Sequence, residues 1–404
     1  MRNIIPIVLL FSLFDVNAAP AGVVSSFEYI FETTNLPSLN NAGQVAFQHS
    51  SSILRWEPGS SSVTTIASSG NTVGSRTIDG FFGTRTSIND AGIVAFRARY
   101  TGSSSGGIVV GGGGSLTEVA FDSFASDLGA RPRVNNLNQV VYTANDGEDI
   151  RREVIGNSTI TTIATDSEFG FTPSPTPAMN NNGDVVFQGN RMSPFEQGIY
   201  TGTPSNRITI GTNADTLRSF SVAPDINDSL EAVYVATFDV PSPNDFDGLY
   251  FDSPTISPIR IAGGPDFIDG TFYNSNPNIT SNGEVYVSAT HSVDGTGIYR
   301  WDGATLQRLI GEGDSLDGGI IQSVFLGHDS VNDAGQFAFR ATIDNGTSTR
   351  NALFVGSVSA VPEPRSLLAL GAGFLCVALR FRRRNLQCSG ALSSARNDEC
   401  TSVT

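Results

Sequence analysis

The chain has 404 residues, with 39 acidic side chains against 24 basic ones and a net charge of −15. A surface this acidic repels a phosphate backbone, so nucleic acid is excluded as a partner. The cysteines, Cys376, Cys388 and Cys400, all lie near the C-terminus, so the body of the chain has neither a disulfide framework nor a cysteine-based zinc site.

Residues 1–18 read as a secretory signal peptide. Arg2 supplies the positive charge, Ile4 to Phe14 is apolar apart from Pro6 and Ser12, and Val16-Asn17-Ala18 puts small residues where signal peptidase cleaves. The alternative, a short membrane anchor, is disfavoured by length. Eleven residues of helix span about 16 Å, half a bilayer core.

One phrase then recurs through the body. It reads Leu39-Asn40-Asn41-Ala42-Gly43-Gln44-Val45-Ala46-Phe47 at its first occurrence and Ile88-Asn89-Asp90-Ala91-Gly92-Ile93-Val94-Ala95-Phe96 at its second. Later copies are anchored at Asn135, Asn180, Asn227, Thr280 and Asn332, so the spacing runs from 45 to 53 residues. That period points to propeller blades or similar arrays. The Asn-x-x-Gly half is a turn, with Gly43, Gly92, Gly183, Gly283 and Gly335 in the left-handed conformation. Asn138 takes the glycine position in the third copy and is tolerated there. Leu230 takes it in the fifth, where the turn is predicted to be altered or strained.

A strand follows each turn, with Val45/Phe47, Val94/Phe96, Val140/Tyr142 and Val185/Phe187 on one face. The intervening residues, Ala46, Ala95, Val141, Val186, Val233, Tyr286 and Ala338, are apolar as well, so both faces are covered. Each unit supplies a second strand (such as Gly297 to Trp301), a third (such as Val63 to Ala67) and a Phe-containing fourth before the next turn: Phe81-Phe82, Phe169 to Phe171, Phe220, Phe272-Tyr273 and Phe325. The expected fold is all-β, a single β-propeller of seven four-stranded blades over residues 19–358; the alternative is three or four β-sandwich domains. The last repeat is short of strands, and Val23 to Phe31 is placed to complete its sheet and close the ring. The phrase resembles the tandem-repeat family named for Asn-x-x-Gly-x-x-Ala-Phe.

Candidate chemistry is sparse. Gly111-Gly112-Gly113-Gly114 lacks the Lys-Ser/Thr of a phosphate loop and reads as a hairpin turn. Asn244-Asp245-Phe246-Asp247-Gly248 gathers oxygens suited to calcium but lacks the spacing of an EF-hand, so no cofactor or metal is assigned. Gly313-Asp314-Ser315-Leu316 spells a lipase/esterase nucleophile signature, yet its one downstream histidine, His328, is not in an Asp-x-x-His pair, and a turn is the better account. His49, His291 and His328 are expected as solvated loop residues. The repeated asparagines could form a ring of ligand-facing amides, although turn chemistry explains them.

The C-terminal end is the most specific feature. Pro362-Glu363-Pro364, within the connector 359–365, is followed by an uncharged stretch and then by Arg380, Arg382, Arg383 and Arg384. An apolar run capped by arginines is a stop-transfer pattern. In this order the features resemble the PEP-CTERM sorting signal of Gram-negative bacteria. The resemblance implies an exosortase-type processing enzyme, cleavage near Pro-Glu-Pro, and delivery to the cell surface or extracellular matrix. The apolar helix within 366–384 would hold the chain in the membrane before processing. Its uncharged part, Ser366 to Leu379, spans about 21 Å, short of a full core. Residues 385–404 read as a disordered tail. An unprocessed tail anchor is the alternative.

The expectation is therefore an exported, non-catalytic binding or scaffold module whose ligand is exopolysaccharide or another envelope component. The alternatives are a polysaccharide hydrolase or lyase, and a passive matrix protein. An acidic surface should avoid anionic glycans unless divalent cations bridge the two.

Overall fold

In the computed structural model residues 24–358 are described, apart from short loop stretches of which 171–175 and 239–246 are the longest. Residues 1–18, the Pro-Glu-Pro connector, the apolar segment 366–384 and the tail 385–404 lie outside the described residues, as do Phe82, Phe171, Tyr273 and Asn244 to Phe246. The described chain contains strands and no helix, arranged as seven antiparallel sheets.

The sheets form a ring because none can bury its own faces. Val94 and Phe96 pack into a core shared with the first blade, whereas Ala95, between them, packs into the core shared with the third. The same division holds at Phe337 and Phe339 against Ala338, and at Val140 and Tyr142 against Val141. Side chains alternate across a strand, so a central strand buried on both sides must be apolar at every position. The resulting cores lie between neighbouring blades, which is a seven-bladed β-propeller.

The sheet topology corrects one expectation about the repeat. The Phe-containing fourth segment does not pair within its own unit. Leu217–Phe220 pairs with Ala232–Phe238, the central strand of the following repeat, and Phe169 bridges to Arg191 in the same sense. The segment thus lies along the inner edge of the next blade, in line with two-residue strands such as Asp225–Ile226. In the last blade the two pieces fuse into one long strand, Gly319–Val331. The sequence repeat is therefore offset from the blade.

Closure follows from that offset. Val24–Glu32 pairs antiparallel with Thr349–Val358 as the outer strand of the last blade. Ile30 enters the core between the last and first blades, and Phe31 packs on Phe47 at 5.3 Å between ring centroids. The first and last described strands thereby occupy one sheet, which closes the ring.

The turns behave as their residues dictate. Gly92 has φ +76°, and an added Cβ there would lie 2.7 Å from Arg55 Nη1. Asn138 adopts φ +56°. Leu230 keeps the same backbone, at φ +62°, with the Leu230 N–H donating to Asn227 O at 3.1 Å. The fifth turn is thus strained and not altered, at a cost of about 1–2 kcal/mol for a left-handed non-glycine residue.

Closure makes a testable difference between buried and exposed residues of the N-terminal strand. Ile30→Ala should cost about 3 kcal/mol in urea unfolding, because Ile30 is a buried core residue. Glu28→Ala, at an exposed position of that strand, should stay within about 0.5 kcal/mol of wild type. Equal effects would mean that the strand does not seal the ring.

Candidate functional site

The inner strands and turns of all blades converge on a cavity of about 140 Å³. Its wall is the repeated asparagine, which does two things at once. Within its own turn, Asn135 Oδ1 accepts from the Leu137 and Gln139 N–H groups at 3.1 and 2.9 Å. Its Nδ2 then donates to Asn180 O, in the next blade, at 3.0 Å. The same link runs from Asn40 to Asn89, Asn89 to Asn135, Asn180 to Asn227, Asn227 to Thr280 and Asn332 to Asn40. A second ring lies outside it, in which a backbone N–H donates to the next blade's side chain: Asn41 to Asp90, Asp90 to Asn136, Asn136 to Asn181, Asn181 to Asp228, Ser281 to Asp333 and Asp333 to Asn41.

Both rings lapse at the sixth repeat. The Thr280 hydroxyl still accepts from Glu284 N–H at 3.1 Å but has no amide to offer Asn332, and Ser281 has no carboxylate or amide oxygen to receive Asp228 N–H. The buried asparagine amides are therefore committed to joining blades, and do not present their donors to a ligand.

Further along the inner strands, away from the turns, the channel is charged. At two residues before the repeated asparagine most blades carry a small or neutral side chain: Ser38, Ser87, Ala178, Asn278, Ser330. The third carries Arg133 and the fifth Asp225. At four residues before it stand Arg85, Arg131, Thr176, Asn276 and His328. Ring closure brings these together. Arg133 is buried, donates to Asp225 Oδ1 at 3.4 Å, and pairs with Asp329. Its Nη2 sits 3.0 Å from His328 Nδ1, and Arg131 Nη1 sits 3.5 Å from His328 Nε2. Arg131 also donates to Thr176 Oγ1 at 3.1 Å, and Arg85 to Asn276 Oδ1 at 2.8 Å.

Burial, followed by repulsion from Arg131 and Arg133, pushes the Arg85 guanidinium down to about 10. Burial and Arg133 also lower Arg131. His328 lies well below the usual imidazole range, first because it is buried and then because Arg133, Arg85 and Arg131 surround it. Asp225 is pushed up by burial against the opposing pull of Arg133 and of two backbone N–H groups.

Asp329 reaches Arg133 by an unusual backbone. The equivalent position is Pro37, Pro132, Pro177, Pro224 or Pro277 in five other repeats, where φ is held negative. Asp329 has φ +50°, within an irregular stretch between Leu326 and Val331. Left-handed non-glycine residues are costly, and they concentrate at sites that need a particular side-chain placement.

The remaining candidates are scattered. The expectation that His328 is a solvated loop residue is wrong: it lies on Gly319–Val331 at 4% exposure, because its strand faces the channel. His49 ends the strand Val45–His49 and packs edge-on to Phe31, and His291 lies 3.3 Å from Asp294. Ser315 is exposed in a hairpin beside Asp314, whose carboxylate accepts from Arg308 at 2.8 Å. Gly111 to Gly114 joins two paired strands. Asp247 accepts from Thr237 Oγ1 at 2.8 Å, and no group of metal-ligating side chains occurs among the described residues. The arginine cluster escaped the sequence reading. Its trace there was Arg131-Pro132-Arg133, two arginines at positions where most other repeats are small or neutral.

A PEP-CTERM protein-sorting motif matches residues 360–384, which marks the chain as exported and exosortase-sorted, with a cell-surface or extracellular destination. No curated protein matches the chain. Among solved structures it is similar to U3-55K, at 11% identity and a TM-score of 0.48, covering 84% of this chain and 100% of that one. It is also similar to a chain of the mitotic checkpoint complex, at 13% identity and a TM-score of 0.46, covering 86% and 98%. A third is the extracellular domain of a putative one-component system from B. thetaiotaomicron, at 12% identity and a TM-score of 0.44, covering 82% and 40%.

Two outcomes follow from this geometry. Thr280→Asn supplies the missing amide and should raise stability by about 1 kcal/mol in urea unfolding with an unchanged m-value; no gain would mean that the ring adds nothing at that joint. His328 binds a proton more readily unfolded than folded, so its contribution is present above about pH 6.5 and is lost as pH falls below it. Thermal melts from pH 7 to pH 5 should therefore fall more steeply for wild type than for His328→Gln; parallel curves would refute the buried neutral imidazole.

Proposed function

We propose that this exported chain is a surface or matrix protein whose propeller is a non-catalytic binding module for exopolysaccharide. The observation that carries the reading is the union of a sorting motif with a closed, rigid ring whose channel gathers fixed hydrogen-bond donors. A ring held by inter-blade cores and hydrogen bonds presents such donors with little ordering cost on binding.

The Gly-Asp-Ser-Leu segment supports a non-catalytic role. Ser315 caps an exposed hairpin, while the downstream histidine that a serine nucleophile would need, His328, is engaged by Arg133 within the channel. A nucleophile and its base must lie within hydrogen-bond reach.

The test is co-sedimentation of residues 24–358, which close on themselves, with exopolysaccharide from the producing cells, with and without calcium. Saturable binding is expected. Calcium dependence would direct attention to acidic rim residues such as Asp90, Asp228 and Asp333. Absence of binding in both conditions would overturn the reading.

A further inference from the structure

We propose that the propeller channel is a binding site for one anionic oxygen group, a carboxylate or phosphate, held by Arg131, Arg85 and the Nε2 proton of His328. Three observations carry it.

The first is a surplus of donors. Guanidinium groups only donate, and a neutral imidazole has a single acceptor nitrogen. Nδ1 of His328, at 3.0 Å from Arg133 Nη2, is that acceptor. Nε2 then bears the proton and faces a second donor, Arg131 Nη1, at 3.5 Å. Two converging donors need a common acceptor, and at 4% exposure His328 has almost no access to bulk solvent. An anionic oxygen placed between them satisfies both.

The second is charge. Asp225 and Asp329 are both engaged by Arg133. The groups that Arg131 meets are neutral: the Thr176 hydroxyl, to which it donates, and the His328 ring, which it faces. The two carboxylates are taken up by Arg133, so neither offsets the positive charge of Arg131, inside a protein whose net charge is −15. Confinement between low-dielectric walls strengthens the attraction of that charge for an anion. Arg131, like Arg85, is partly exposed whereas Arg133 is buried, so the charge of Arg131 is on the accessible side of the cluster.

The third is construction. The carboxylate that anchors Arg133 comes from Asp329, held in a left-handed conformation where other repeats use proline. Backbone strain retained to place one side chain fits a binding site better than a structural filler.

Resting on the exopolysaccharide reading, the group is assigned as the carboxylate of a uronic-acid residue. The experiment is calorimetric titration of the full chain with glucuronate, with inorganic phosphate and with glucose. Saturable glucuronate binding is expected, weakened about tenfold or more in both Arg131→Gln and Arg85→Gln, with no heat from glucose. Circular dichroism identifies the variants that fold, and two variants guard against the loss of one. Phosphate binding without glucuronate binding would keep the anion site and overturn the uronate assignment. No binding of either anion, or affinities unchanged in both variants, would overturn the site itself. The free sugar acid is titrated without polymer, so failure here is distinguishable from failure of co-sedimentation.

Discussion

Everything in the fold depends on central strands that are buried on both faces. Val94, Ala95 and Phe96 have no exposed side, and each blade borrows half of its core from one neighbour and half from the other. A single blade would expose apolar surface on both sides, and a linear array would expose it at both ends. Closing the ring is the arrangement that leaves no such surface, and the chain does so by giving the last blade its outer strand from the N-terminus. Stability is in this sense a property of the ring rather than of a repeat.

The asparagine phrase belongs to the same constraint. Its oxygen organises the local turn and its amide crosses to the next blade, so one side chain links the shape of a repeat to the spacing between repeats. The glycine that follows permits the left-handed backbone the turn requires, and Leu230 shows the surroundings enforcing that backbone on a residue that resists it. Where Thr280 replaces asparagine, the local role survives in the hydroxyl and the inter-blade role is lost. The two roles are therefore chemically separable.

Ring symmetry also explains why the channel is the place to look for function. A repeat places equivalent residues around one axis, so a departure from the pattern lands beside departures from other blades. Arg85, Arg131, Asp225 and His328 come from different blades and meet only there. Buried charges are costly unless paired, which accounts for the two carboxylates around Arg133. It does not account for Arg131, whose partners are neutral.

The sequence by itself determined the turn positions, the strand after each turn, the covering of both strand faces and the sorting motif. These depend on local backbone preferences, side-chain alternation and the order of a short segment, all properties of neighbouring residues. Tertiary structure alone decided which blade each Phe-containing segment joins, because pairing partners depend on inter-strand register rather than on composition. It alone placed His328 in the channel and not in solvent, and set Arg131 and Arg133 against residues nearly two hundred positions away. Burial and electrostatics depend on distance in space, and in a closed ring the shortest distances join residues that the chain keeps far apart.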